Sequence, residues 1–393
     1  SLIDNPPPWP NGAKCAVCFA YDFDAESLLH LYYPSADVTR RMGAAATLRY
    51  GAKVAIPRIA KIWKHFGIRQ TVFVPGWCIE QYPEAMEILI SGGHEIGHHG
   101  WLHERVNQFS REDEEKIMIA GIRAIEKATG APPVGYRCPS GAFSEHTLDL
   151  MIEHGLRYDA SLGGHDIPYL LERPDGKSIV CLPHDNSLDD WTQYVNFKAA
   201  DWSMPVQSPD RAMDVFRADF DAAWKHGGLW TAVWHPFVSG RLARAEAQVG
   251  LIEHMMEKGD VWFATCAEIA AHIDGLIGRA KTLLQENYAT VHRLGNDAIV
   301  ADIRDDLREF GVVYDHWFEE SSLVDSGAVE SAVDRLREAG HLYQRDGAWW
   351  FRSTEFGDQK DRVVIRDNGE PTYFATDIAY HLQKLERGFD QLT

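Results

Sequence analysis

Short apolar runs alternate with amphipathic stretches from about residue 14 to about residue 275. Lys14 to Tyr21 reads as a strand that ends in Asp22-Phe23-Asp24. Val54, Ile59, Ile62, Trp63 and Phe66 then recur at helical spacing. Thr71 to Val74 predicts the next strand, stopped by Pro75-Gly76. Helical patterns follow near 83–91 and 111–128, and Val134 to Arg137 and Ile179 to Leu182 are strand-like. A long amphipathic helix near 209–225 leads to a strand from Leu229 to His235, and another helix precedes a strand at Val261 to Ala264. This β-α-β-α rhythm predicts an α/β fold: a mostly parallel sheet with helices outside it, open or closed as a barrel. Parallel barrels carry their chemistry at the C-terminal ends of the strands. The polar candidates fall there: Asp22 and Asp24, the His98–His103 group, Arg137, Asp159 and His235 each follow an apolar run.

Two features interrupt the rhythm. Residues 25–52, which include Leu31-Tyr32-Tyr33-Pro34, separate the first strand from its helix. A loop of that length is expected to be a lid, a binding loop or a plain surface excursion. Near residue 276 the composition shifts: charges come densely at Asp302 to Glu309, Asp334 to Glu338 and Asp358 to Arg362, and the strand-helix alternation ends. A domain boundary is therefore expected at 275–285, dividing the chain into 1–278 and 279–393. No internal repeat or low-complexity segment is evident.

Length and composition agree with two globular domains: 393 residues, 45% of them hydrophobic. The net charge of −19 disfavours bulk nucleic-acid binding and docking on anionic membrane surfaces. Cys15 and Cys18 form a CxxC, but within an apolar run that reads as a buried strand, not as a redox or zinc motif. The other four cysteines, Cys78, Cys138, Cys181 and Cys266, lack ligand spacing, and scattered thiols suggest a reducing cytosol. No apolar run approaches the ~20 residues that span a bilayer. The stretch Ser1-Leu2-Ile3-Asp4-Asn5-Pro6-Pro7-Pro8 lacks the pattern of a signal peptide. These readings predict a cytoplasmic protein with no membrane partner.

The densest chemical signal is Gly93-His94-Glu95-Ile96-Gly97-His98-His99-Gly100-Trp101-Leu102-His103-Glu104. His99 and His103 are four apart, so on a helical turn they face one way and share one ion. Two imidazoles and one carboxylate leave a fourth position for water, the pattern of a catalytic zinc site. Asp22-Phe23-Asp24 places two carboxylates on one face of a strand end, one for a metal and one for a base. Alone, HxxxH and DxD are weak signals. Their order makes the set specific: DFD, then HGWLH, then Tyr136-Arg137-Cys138-Pro139-Ser140-Gly141, then Trp234-His235-Pro236.

Over roughly residues 10–275 this order resembles the polysaccharide deacetylase superfamily, with its nodulation-type chitooligosaccharide deacetylase fold. Within it the chain looks most like the cytosolic branch of peptidoglycan deacetylases, allantoinases and cyclic imidases. The resemblance implies a distorted (β/α)7 barrel, a homo-oligomer, and one divalent transition metal, with zinc favoured. It implies Asp24, His99 and His103 as metal ligands, Asp22 as general base, Arg137 as its orienting partner and His235 as general acid. It also implies a backbone N–H at Ser140 for the oxyanion. Asp159 is expected either to tune His235 or to lie in a solvated turn, and His94 and His98 to be structural. Two departures stand out. Asp-Phe-Asp replaces the usual adjacent pair, as in the cytosolic branch, and Ser140 stands where an aromatic residue is common.

Residues ~283–393 carry a different signature. Asp325-Ser326-Gly327, Gly347-Ala348-Trp349-Trp350-Phe351-Arg352-Ser353-Thr354, Phe356-Gly357-Asp358-Gln359-Lys360-Asp361-Arg362-Val363 and Thr372-Tyr373-Phe374-Ala375-Thr376-Asp377-Ile378-Ala379-Tyr380-His381 resemble the middle of a bacterial arginyl-tRNA synthetase. The resemblance implies that Tyr373 and Asp377 stand at arginine-recognition positions. Neither the HIGH-type nor the KMSKS-type nucleotide signature is present, so tRNA charging is not expected. The stretch reads as a smaller mixed α/β appendage, whether fragment, fusion or engineered segment, and as catalytically silent.

The function expected is metal-dependent hydrolysis of a non-peptide C–N amide bond, first as de-N-acylation of an amino sugar or similar small amide. The rival within hydrolases is ring opening of a cyclic imide or ureide. A rival of another class is an arginine- or tRNA-binding module with an inactive barrel. The intact set Asp22, Asp24, His99, His103 and His235 argues against that rival. The partner expected is a small-molecule or amino-sugar substrate, with no nucleic acid.

Overall fold

Runs buried on both faces form the central strands, as a parallel sheet covered by helices requires. In the computed structural model of the chain these are β1 (Cys15–Cys18), β2 (Tyr21–Asp22), β3 (Thr71–Val74), β4 (Glu95–His98), β5 (Gly135–Tyr136) and β6 (Tyr158–Asp159). They continue as β7 (Tyr169–Glu172), β8 (Ser178–Cys181), β9 (Asn196–Phe197), β10 (Trp202–Ser203), β11 (Leu229–Thr231) and β12 (Val261–Phe263). The structure describes residues 1–33, 41–197, 202–203, 206–284 and 326–388, and between 285 and 325 only residues 287, 290–291, 299–301, 303–304, 307–308, 310–314, 317–318 and 322–323.

The chain divides into two compact units, Ser1–Glu286 and Asn287–Thr393. In the first, β1 lies between β11 and β12 and parallel to both, so that Val17 faces Trp230 on one side and Phe263 on the other. β2 opens a seven-stranded sheet in the order β2-β3-β4-β5-β6-β8-β7. This sheet is parallel as far as β8 and antiparallel only at β7. Bridges from Tyr21 to Trp234 and from Asp189 to Val233 bring β2 and the segment after β8 against the continuation of β11. The result is a mixed α/β fold consistent with a distorted (β/α)7 barrel. Among the described residues the strand pairing does not run through a complete ring. β9 and β10 form a separate antiparallel pair.

Helix boundaries follow local chemistry. Arg111–Thr129 is capped by the Ser110 hydroxyl, which accepts from the Asp113 N–H at 3.2 Å, and has Glu112, Asp113 and Glu114 in its first turn and Gly130 in the left-handed region behind it. Pro209–His226 repeats the device with Ser208 and Gly227.

Three expectations need correction. The stretch 25–52 is not a loop: it holds the helices Ser27–Tyr32 and Met42–Tyr50, and the second continues through a π-turn, Gly51–Ala55, into Ile56–Phe66. Met42–Tyr50 buries only Ala45 and Leu48, too few apolar positions to declare a helical period. Pro34 and residues 35–40 lie outside the described residues. The strands expected at Val134 to Arg137 and Leu229 to His235 are shorter, Gly135–Tyr136 and Leu229–Thr231. The third concerns the histidines. β4 ends at His98, and the chain then turns through Gly100 (φ 73°) and His103 (φ 62°), so His99 and His103 meet across a turn and not along a helix. A side chain at Gly100 would be strained at that φ, and its Cβ would crowd Glu104 Oε2 at 3.0 Å and Pro139 Cγ at 3.2 Å.

The helix Cys266–Leu284 runs through the interval where the composition changes, because the shift to charged residues does not interrupt its helical period. The second unit has three antiparallel strands, β13 (Leu342–Arg345), β14 (Ala348–Phe351) and β15 (Arg362–Ile365), with helices Ala328–Glu338 and Tyr373–Glu386. Its core gathers Leu323, Val329, Val333, Leu342, Val364 and Ala375. Asp302 and Asp325, singled out in the sequence, lie outside the described residues. Among the described residues no helix is long and apolar enough to cross a membrane.

Candidate active site

The C-terminal ends of β2, β4, β5 and β11 and the turns after them open on one cavity of about 540 Å³, lined by Asp22, Asp24, His103, Arg137, Ser140 and His235 among others. All six were singled out in the sequence, and His99 stands directly beneath them: its Nε2 lies 3.4 Å from Asp24 Oδ1 and 3.8 Å from Asp22 Oδ2.

Asp24, His99 and His103 each offer a ligand atom within 4.8 Å of the others. All three are buried, and both Asp24 carboxylate oxygens, His99 Nε2 and His103 Nδ1 lack a hydrogen-bond partner among the described residues. Buried polar atoms without partners are costly, and a cation among them removes that cost. His99 Nδ1 donates to the Arg137 carbonyl at 2.6 Å, which leaves the Nε2 lone pair toward Asp24. An N₂O donor set prepared in this way fits a divalent transition metal. Burial pushes the Asp24 carboxyl up, but the rings of His103, His99 and His235 outweigh it and hold the group well below the usual carboxylate range.

Asp22 is held apart from that set. Arg137, itself buried, donates from Nη1 to Asp22 Oδ1 at 2.8 Å. Its Nε donates to the Ala160 carbonyl at 2.9 Å, and its guanidinium lies 4.4 Å from the Phe73 ring centre. The cation is therefore locked in place and fixes the orientation of the Asp22 carboxylate. Ser140, after β5, sits in the left-handed region at φ 56° and ψ 18°, a conformation uncommon for a residue with a side chain.

His235 follows β11, and its orientation depends on a residue that the sequence reading missed. Its Nδ1 donates to Asp190 Oδ1 at 2.7 Å, and its backbone N–H and the Ser239 hydroxyl donate to Asp190 Oδ2 at 2.9 and 2.6 Å. Burial disfavours the charged ring, yet Asp190, with Asp24 and Asp189, outweighs burial and lifts His235 to about 10. The only sequence signal was the acidic pair Asp189-Asp190 before Trp191. Asp159, weighed as the partner of His235, serves elsewhere: it is buried and accepts from the backbone N–H groups of Ser161 and Leu162.

His94 and His98 are structural by their contacts. His94 packs on Trp63 and accepts from the Gln70 N–H at 3.2 Å. His98 Nε2 donates to the Met118 carbonyl at 2.8 Å, while its Nδ1 accepts from the Gly100 N–H at 3.0 Å. That pattern suits only the neutral ring, and burial lowers His98 to about 4. The folded value lies below the unfolded one of about 6.5, so the unfolded chain takes the proton first and stability is lost as pH falls from about 6.5 toward 4. At about pH 5 the expected loss is about 2 kcal/mol. His98→Asn, which does not titrate, should show an acid loss smaller by that amount in urea unfolding. An unchanged acid loss in the variant would refute this account.

The polysaccharide deacetylase family profile matches residues 39–158. A Mycobacterium smegmatis structure, put forward as a polysaccharide deacetylase, is 39% identical, with a TM-score of 0.66 over 69% of this chain and 94% of that one. The Puue allantoinase structure is 25% identical, with a TM-score of 0.59 over 68% and 93%. Curated relatives of another kind are the arginine–tRNA ligases of Thioalkalivibrio sulfidiphilus, 64% identical over 122 residues, and of an Azoarcus species, 60% identical over 121. Each match takes 31% of this chain, which spans about a fifth (21%) of the length of those ligases. The likeness to the Mycobacterium smegmatis protein extends over nearly all of that protein, and on it the chain belongs to the polysaccharide deacetylase family.

Proposed function

We propose that the protein hydrolyses a C–N amide bond with the help of one bound divalent metal, zinc favoured, and that de-N-acylation of an amino sugar or similar small amide is its first substrate class. The observation that carries this reading is the buried set Asp24, His99 and His103, with both Asp24 oxygens, His99 Nε2 and His103 Nδ1 unpartnered among the described residues, beside two differently held groups, Asp22 on Arg137 and His235 on Asp190. The metal, when bound at Asp24, His99 and His103, supplies Lewis acidity that polarises a carbonyl and eases deprotonation of water. Asp22, oriented by Arg137, takes the proton of the attacking water. The backbone at Ser140 faces the developing oxyanion. His235, protonated and fixed by Asp190, gives its proton to the departing nitrogen. Water adds to the acyl carbon, the C–N bond breaks, and the products are a carboxylate and an amine.

A second reading, ring opening of a cyclic imide or ureide, uses the same groups. The likeness to the Puue allantoinase supports it, as does a cavity sized for a small molecule. Elemental analysis is expected to find about one transition metal per chain after reconstitution, and chelation should abolish turnover of N-acetyl sugars or cyclic imides. Full activity in metal-free protein would overturn the proposal.

A further inference from the structure

We infer that the substrate carries an anionic group, a carboxylate or an isostere, on the side away from the scissile bond, and that Arg105 binds it. The inference rests on the amide-hydrolase reading and narrows its substrate class. It starts from the balance of charge in the cavity. Asp22 is paired with Arg137 at 2.8 Å. Asp24 stands among His99, His103 and His235 at 3.4, 3.7 and 3.6 Å. Asp189 accepts the Trp191 N–H at 2.8 Å and lies 4.0 Å from His235 Nδ1. Arg105 also lines the cavity, and it has no carboxylate within 4.0 Å among the described residues. Its neighbour is Tyr32, another cavity-lining residue: the guanidinium lies 5.9 Å from the ring centre and also interacts with the phenol hydroxyl, a neutral partner that leaves its charge uncompensated.

A half-buried guanidinium on a cavity wall is suited to an anion, because its planar fork of donors matches a carboxylate. Among the described residues the protein supplies no such anion. The net charge of −19 makes the contrast sharper, since the chain as a whole repels anions and offers carboxylates freely elsewhere. Arg105 also follows His103 by two residues and immediately precedes the short helical turn Val106–Gln108. An anion held by Arg105 is therefore in fixed register with the metal-binding set, which is what a specificity contact requires.

Calorimetry on the zinc-loaded full chain tests this with probes that are not turned over: succinate and glutarate against butyrate and valerate. Every probe brings one carboxylate to the metal-binding set, and only the first two bring a second. The dicarboxylates should bind about ten- to a hundredfold more tightly. Arg105→Gln should bring the paired affinities together, and Arg105→Lys should retain part of the difference. Equal affinities in the native chain, or a preference that survives Arg105→Gln, would overturn the inference. Turnover of N-acetyl amino acids is measured alongside. If no amide is hydrolysed but the Arg105-dependent preference persists, the hydrolase reading fails and the anion site stands.

Discussion

Asp22→Asn is expected to retain its metal and lose about 10²–10⁴ in turnover, whereas Asp24→Asn is expected to lose metal affinity. The two carboxylates are two residues apart at one strand end, yet their surroundings differ. Both Asp24 oxygens are buried without hydrogen-bond partners among the described residues and stand among three histidines. Asp22 already has a partner in Arg137 at 2.8 Å. An amide at position 24 removes the anion that a cation needs. An amide at position 22 keeps the shape but has no basic lone pair for a proton. His235→Ala should resemble Asp22→Asn, with metal kept and rate lost, and its effect should shrink when the leaving group needs little protonation. Metal content, turnover and thermal unfolding are measured on each variant. Metal loss from a folded Asp22→Asn, with metal retained in Asp24→Asn, would exchange the two assignments. Both variants folded, loaded and active would remove the site from the chemistry.

The strands legible in the sequence are those whose burial is written in apolar runs. β1, β3 and β12 fall inside the expected intervals because, Thr71 at the start of β3 apart, they are made of apolar residues alone. β4 was hidden by its composition: Glu95-Ile96-Gly97-His98 has little strand propensity. The glycine in it answers a tertiary demand, because a Cβ at Gly97 would fall 2.4 Å from Phe73 Cδ1 on the neighbouring strand. The histidine pair was found for a reason that the structure replaces. Spacing by four suggested a helix, and the chain instead returns through two positive-φ residues. The chemical types carried the inference, and the local geometry could not be read from them. The second unit gave no sign of its three-stranded antiparallel sheet as a strand pattern, because β13 and β15 are short and partly exposed.

Asp190 marks where sequence reading stops, since 45 residues separate it from His235 and only the fold brings them together. It is also where the second large effect is expected. Asp190 is fully buried, and its two oxygens accept three donors: the His235 backbone N–H, His235 Nδ1–H and the Ser239 hydroxyl. Asp190→Asn places an NH₂ against one of those donors, so stability should fall by about 1–3 kcal/mol. The charge matters more for rate. His235 is held at about 10 against the cost of burial chiefly by Asp190. Without that carboxylate the ring gives up its proton at lower pH, so the acid form is scarce where the native protein still has it. A cation at Asp24 also opposes the charged ring, which makes the remaining support from Asp190 more important. Turnover near neutral pH should drop by about 10²–10⁴, and the alkaline limb of the pH–rate profile should move to lower pH. Substrates with activated leaving groups should recover part of the loss, because they need less protonation. A role confined to folding predicts a different pattern: a uniform loss at every pH, an unmoved alkaline limb and no recovery with the activated leaving group. That pattern would reduce Asp190 to a structural acceptor and leave His235 without an explanation for its charge.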